Sequence, residues 1–354
     1  MKLIDDMMTV KEPENGGRTA IDRFDFQTAW GISKVLKLHA ADLNYAVAFE
    51  FHDDIVSLDD ADAPTKAVFY QVKTQEAGNW TITRLVDRPM STGKVPKPKA
   101  SFVGKMFGNF KRFGSAAEKL VFVSNQPLVE IGTKYGEASF STAKPEDVAK
   151  FVTAMKLENK GFKEVDHLGY FHFDYCELNL ASYEQAVFGE VSLFLKDHTS
   201  AEPGSVPFTL HLANEGKRRS KRLANVKSFA DLKASKFMTR ADMDKWLGAL
   251  DSAYLYRPSW ETTSRQLAVP HQEDSRLERE WNSYMAERKR RWSAGTLELA
   301  ANVKETVTPV IDAAATLKGG MEGCLPLVSD EVRRWKPNAT DDFVKAVILY
   351  EYKR

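Results

Sequence analysis

The 354-residue chain predicts an α/β or mixed α+β fold up to about Ser200 and a mostly helical remainder. Two patterns carry that expectation. Helix-period and strand-period apolar runs alternate through the first part, as they do where strands are interleaved with helices. Beyond AEPGSVP, at 201–207, strand-like runs become scarce and apolar residues recur at helical spacing. That Pro- and Gly-bearing stretch reads as a linker or domain edge, so the predicted domains are 15–205 and 206–354. With 43% hydrophobic and 28% charged residues, the chain has the composition of a globular protein with a real core.

Taken in order, residues 1–17 read as a mobile arm. AIDRFDFQTAWGISKVLKLHA sets Ile21, Phe24, Trp30, Ile32, Val35 and Leu36 on one stripe, the pattern of an amphipathic helix. YAVAFEF, DDIVSLD and KAVFYQVKT are β-rich runs, and the Asp, Pro and Thr of DADAPT predict a hairpin turn between the last two. A helix is expected to start near Thr81 or Thr83. Phe102, Val103, Met106 and Phe110 have helical spacing. KLVFVSN reads as a buried strand closed by Ser124 and Asn125. PEDVAKFVTAMKLEN opens with Pro145 and two acids, suited to a first helical turn. GYFHFDY reads as a strand and SYEQAVFGEVSLFLKD as a helix. Farther on, TRADMDKWLGAL predicts a helix capped by Thr239. The run from Arg276 to Val307 predicts one long helix or two broken near Gly295.

A net charge of +1 argues against a protein that coats a polyanion through bulk positive charge. Basic residues are instead local: seven Lys or Arg and no acid from Arg88 to Ala117, and five cations in KRRSKR at 217–222. Each run fits a solvated face as well as a contact with nucleic acid. No apolar window is long enough to span a bilayer, and the polar start lacks the apolar region of a secretory signal. A cytoplasmic protein with no membrane contact is expected. Cys176 and Cys324 form neither a disulfide framework nor a zinc spacing and read as buried thiols. STGK at Ser91–Lys94 fails as a phosphate loop, because Arg88 stands where glycine is needed and Val95 follows the lysine. His167 and His172 lack companion ligands, and Trp260, Trp281 and Trp292 read as core anchors.

The chemistry-bearing candidates sit on the third β-rich run. Alternation puts Phe69, Gln71 and Lys73 on one side of it. A hairpin turning at about 60–65 brings Asp54 opposite Gln71, with Glu50 farther back. An acid, an amide and an ammonium group would then converge on rigid elements. Phosphodiester hydrolysis calls for that combination: hard oxygen ligands for a divalent metal, and a cation to steady the attacking water or the developing charge. Asp54, Gln71 and Glu50, with the Val72 carbonyl, would hold the metal, and Lys73 would supply the charge. The same Q-x-K spacing fits a solvated strand edge carrying a snorkelling lysine.

The ordered set RFDFQ, FEFHDDIVSLD, FYQVKT with WTITRLV, and KLVFVSN resembles the N-terminal domain of the CD-NTase-associated double-stranded DNA endonucleases. These are anti-phage effectors of the PD-(D/E)xK superfamily, in its Mrr-like branch with Gln for the middle acid. The similarity covers roughly residues 18–130 and continues more loosely through ANVKSFADLKASKFMTRADMDKWL. It implies a restriction-endonuclease-like α/β core, with a nuclease domain at 15–205 and a mostly helical assembly or partner-binding domain at 206–354. It also implies Asp54, Gln71, Lys73 and Glu50 as catalytic residues, with Mg²⁺ as cofactor and Mn²⁺ able to substitute. Asp53 competes with Asp54 as the main ligand, and His52 could serve or merely pack. The basic stretch would contact the backbone of double-stranded DNA through Lys94, Lys97, Lys99, Lys105, Lys111 and Arg112. The build is similar to the nuclease subunit of Lamassu-type systems, which implies an SMC-like ATPase partner and self-association into a homo-oligomer on activation. The alternative is a noncatalytic DNA-binding or scaffolding protein with a degenerate nuclease fold.

Overall fold

The computed structural model describes residues 16–92, 95–131, 134–199, 204–221, 227–255, 258–291 and 293–354. Two compact units emerge: Met1–Val187 with Glu215–Arg240, and Phe188–Asn214 with Ala241–Arg354. The expected arm at 1–17 lies outside the described residues except for its last two positions, which are helical. Part of the expected linker, at 201–203, lies outside them too.

The first unit is a mixed α/β layer structure. Helix α1 (Gly16–Ala40) precedes three strands, β1 (Ala46–Phe51), β2 (Asp53–Leu58) and β3 (Ala67–Lys73). These form an antiparallel meander in which Phe51 faces Asp53 across the single turn residue His52, and Ile55 faces Tyr70. Short α2 (Ile82–Val86) starts from the Thr81 cap. Helix α3 (Phe102–Phe113) follows, and then β4 (Ala117–Ser124), which runs parallel to β3. Next come β5 (Gly136–Ser139), α4 (Pro145–Glu158), α5 (Glu164–His167) and β6 (Phe171–Tyr175). The division between units falls inside α6 (Tyr183–His198) and α7 (Ser205–Lys221). Helix α8 (Phe229–Lys236) leads into β7 (Phe237–Thr239), which pairs with β1. The sheet order is β5-β6-β4-β3-β2-β1-β7.

Helix α1 covers one face of the sheet. Its Trp30 ring lies 4.9 Å from Tyr70, and Gly31 permits the close approach, since a β-carbon there would stand 2.5 Å from the Phe49 ring. On the other face Phe69, Leu120, Phe122 and Phe173 are buried with Val103, Met106 and Phe107 of α3. Apolar residues fill both faces of the central strands, which is why β3 and β4 read as near-continuous apolar runs.

Two strands lie outside the expectations. The stretch FMT after residue 206 is a strand, and it ends at Thr239, directly before the helix that starts at Arg240. Strand β5, GEAS, carries no apolar alternation and gave no signal; it exists through its pairing with β6.

The second unit is helical, with α9 (Arg240–Leu255), α10 (Trp260–Leu267), α11 (His271–Arg290), α12 (Ala294–Asp312), α13 (Leu317–Trp335) and α14 (Asp341–Lys353). The long apolar pattern is two helices, and Ser293 caps the second by accepting a hydrogen bond from Thr296 N–H. Trp281, Tyr284, Val303, Val328, Phe343 and Val347 are buried together in the core of this unit. Trp260 packs at a tilt with its ring 5.3 Å from Trp281, while Trp292 lies outside the described residues. Both cysteines are buried and free.

Candidate active site

Register gathers the central residues. Phe49 faces Ile55 and Phe51 faces Asp53, so the intervening pair is Glu50 with Asp54. Continuing the β2–β3 register past Ile55 and Tyr70 sets Asp54 opposite Gln71. Three polar side chains thus form a row across β1, β2 and β3, in the order Glu50, Asp54, Gln71. The tight turn has its own geometry, because Glu50 and His52 both hold left-handed backbone, φ 51° and 63°. For non-glycine residues that conformation is strained by about 1–3 kcal/mol, a strain common at functional sites.

Asp54 is the hub. Its Oδ2 accepts from Lys73 Nζ at 2.7 Å, Val72 N–H at 2.8 Å and the Gln71 amide at 3.3 Å. The chain after Lys73 is fixed by Asn125, whose side-chain amide accepts from Gln75 N–H at 3.0 Å and donates to Gln75 O at 2.9 Å. Asn125 thereby acts as an extra rung between the ends of β3 and β4.

Helix α3 closes the site. Its Ser101 cap accepts from Gly104 N–H and is itself held by Glu158, to which it donates through N–H at 3.0 Å and Oγ at 2.6 Å. Lys105, Gly108, Asn109 and Arg112 then fall on one helical face and line a cavity of about 480 Å³ with Glu50, His52, Asp53, Asp54 and Gln71. Asn109 is 1% exposed, donates to Asp53 Oδ2 at 2.7 Å and accepts from Arg112.

Electrostatics follow from this crowding. Burial, and then the Asp54 charge, raise the Asp53 carboxyl to about 7, although its Asp54 N–H and Asn109 hydrogen bonds oppose the shift. Burial and Asp54 also raise Glu50, against the opposing charges of Lys73 and Lys236. His52 is lowered by burial and by Arg112. Its ring packs 4.2 Å from Phe51 and 5.0 Å from Phe113, so it both packs and lines the cavity. Among the described residues no group of three His, Cys, Asp or Glu side chains is arranged to hold a metal ion.

A basic helix face thus lies beside clustered acids at the end of a β-meander. The family model described as Cap4, dsDNA endonuclease domain, matches residues 15–206, more than half of the chain. The chain belongs to the Cap4 endonuclease family. Among curated proteins and solved structures nothing matches. The match reaches well past residue 130, where the likeness in sequence pattern faded.

Within this Cap4 domain the predicted residues are distributed unevenly. Glu50, Asp54 and Gln71 line one cavity, and Lys73 joins them through Asp54. Lys105 and Arg112 line the same cavity. Lys97 and Lys99 are exposed on the loop before α3, and Lys94 lies outside the described residues. Lys111 is turned to Asn159, with Nζ 2.5 Å from its Oδ1. The Val72 carbonyl, expected to face a metal, accepts from Gln27 of α1 at 3.2 Å.

Three cations of the second basic run are paired with two acids of the fold. Lys217 pairs with Asp25 at 2.7 Å, and Arg218 and Arg219 both pair with Glu215. His167 packs against Phe107 and Phe110, and His172 pairs with Glu137. Sequence reasoning missed Asn109, Asn125, Gln27 and Lys236. Asn109 alone left a signal, as a polar residue in the apolar stretch VGKMFGNF. Among the described residues no helix is long and apolar enough to cross a membrane.

Proposed function

We propose that this protein is a Mg²⁺-dependent double-stranded DNA endonuclease of the PD-(D/E)xK type, acting as the effector of an anti-phage defence system. The observation that carries the reading is the row Glu50, Asp54, Gln71 with Lys73 bound to its central acid. Support for the core type comes from the order of elements: one helix, a three-stranded antiparallel meander, the short α2 and longer α3, and a fourth strand parallel to the third.

The donor set suits a hard cation. Asp54, Glu50 and the Gln71 amide offer oxygens, and rotation of that amide by half a turn would present Oε1 to the cavity. Two carboxylates, one amide and retained waters or substrate oxygens match the way Mg²⁺ is commonly held. Burial, and then the neighbouring Asp54 charge, raise Glu50 and Asp53, and a cation held beside them would oppose both effects. When bound, the ion polarises a phosphoryl oxygen and lowers the pKa of an attacking water. Lys73 keeps donors beyond the one given to Asp54 and would orient that water or offset charge on the phosphate. Lys105 and Arg112 would hold flanking backbone, which favours weak sequence preference.

The helical unit is proposed to dock an SMC-like ATPase complex that restrains cleavage until release and self-association; this part rests on the resemblance to Lamassu-type nuclease subunits. The test is incubation of purified protein with supercoiled plasmid, alone and with the neighbouring gene products. Cleavage in Mg²⁺ that EDTA abolishes is expected. An inert protein in both forms would favour the scaffold reading.

A further inference from the structure

A second cavity, of about 300 Å³, borders Lys73 and shares no lining residue with the acidic one. Among the described residues it is lined by Arg23, Gln27, Val72, Lys73, Thr74 and Phe102, so two cations and a hydroxyl from that set face it and no carboxylate does. Its composition is opposite to that of its neighbour, although the two meet at the Asp54–Lys73 pair.

The geometry of α1 builds this cavity. Arg23 and Gln27 are one helical turn apart and share a face. Gln27 donates to Val72 O at 3.2 Å, which pins that face to the end of β3 and holds Arg23 beside Lys73. Asp25, the acid between them in sequence, pairs instead with Lys217 at 2.7 Å. Arg23 is exposed and forms no ion pair with a described carboxylate.

We propose that this cavity holds a DNA backbone phosphate adjoining the scissile one, an inference that rests on the nuclease reading above. Arg23 supplies a planar fork matched to two phosphate oxygens, and the Thr74 hydroxyl supplies a further donor. Lys73 serves both cavities, giving one N–H to Asp54 and leaving others for the phosphates. The strand being cut would thus pass from the α3 face, over Asp54, to α1, and the N-terminal helix becomes part of the substrate track.

The test has two arms. In the first, binding of a short duplex is measured in Ca²⁺ across a series of KCl concentrations. Arg23→Gln is expected to weaken binding by about tenfold and to reduce the slope of log K against log salt by about one, with its melting curve unchanged. In the second, cuts in Mg²⁺ are mapped on duplexes carrying one neutral methylphosphonate linkage. The wild type should avoid the bond adjoining the neutral linkage, and Arg23→Gln should cut there as often as elsewhere. A variant with the wild-type slope and the wild-type avoidance overturns the inference. A wild type that binds with the expected slope yet never cuts would overturn the nuclease reading while leaving the phosphate contact standing.

Discussion

The ammonium of Lys73 stands 2.7 Å from Oδ2 of Asp54, a pair formed between neighbouring strands with 28% and 14% of the two side chains exposed. A partly solvated pair of this kind contributes about 1 kcal/mol or less to stability. The same ammonium borders both the acid cluster and the acid-free cavity, so its chemical importance should far exceed its structural one.

Lys73→Ala is therefore expected to melt within a few degrees of the wild type. Its cleavage of duplex plasmid in Mg²⁺ should fall by at least about 10²–10³-fold, the loss typical when a group aimed at developing charge is removed. Linearisation of supercoiled DNA, followed on gels beside a thermal melt, reads both quantities. Wild-type cutting by this variant would remove Lys73 from the mechanism.

Metal binding can be read without catalysis. Isothermal titration with Mn²⁺ should show one site in the wild type and none in Asp54→Ala, because that substitution removes the middle member of the Glu50, Asp54, Gln71 row. Glu50→Gln keeps its shape but loses charge, and should weaken binding without erasing it. Equal heats from all three proteins would mean that the row is not the metal site.

Much of this row was legible in the sequence, because strand alternation and one turn position determine it. Gln71 and Lys73 share a face by period alone, and the hairpin turn sets Asp54 opposite Gln71. The turn at His52 was harder to read, since it places Glu50 beside Asp54 through left-handed backbone at two non-glycine residues. The contributions of α1 and Asn125 were not readable at all. Gln27 meets Val72 across 45 residues and Asn125 meets Gln75 across 50, contacts set by how helix and strand pack. The basic run at 217–222 shows the converse: its charge suggested a surface patch, yet Lys217, Arg218 and Arg219 pair with Asp25 and Glu215.

Asp53 gives a pH-dependent prediction. Its carboxyl titrates near 7 in the folded protein because it is buried beside Asp54, and near 4 when unfolded. Between those values the folded state holds the extra proton. The resulting stability is complete below about pH 4 and is lost as the pH rises through about 7. Asp53→Asn removes the buried charge while keeping an acceptor for Asn109. At pH 8, without metal, urea unfolding of Asp53→Asn should require on the order of 2–3 kcal/mol more than that of the wild type. That gap should close towards pH 4. A gap independent of pH would show that Asp53 is not held neutral by its surroundings.

In the helical unit Arg288 and Glu351 are 2% and 0% exposed and lie 2.7 Å apart, with Tyr284 donating to the same Glu351 oxygen at 2.7 Å. Arg288 Nη2 has no hydrogen-bond partner among the described residues, and Glu351 Oε2 is met only by the Arg354 guanidinium, at 3.6 Å. Desolvating two charges costs much of what their attraction returns, but removing one partner leaves the other buried and alone. Glu351→Leu should therefore destabilise this unit by about 3–5 kcal/mol, measured by urea unfolding followed by circular dichroism. Adding Arg288→Met to that variant should restore part of the loss, because the fully buried pair is then gone, the volumes are roughly kept, and only Arg354 at the edge of the cluster lacks its carboxylate. If the double variant is no more stable than the single one, the penalty comes from lost packing between α11 and α14, and the ion pair has no separate energetic role.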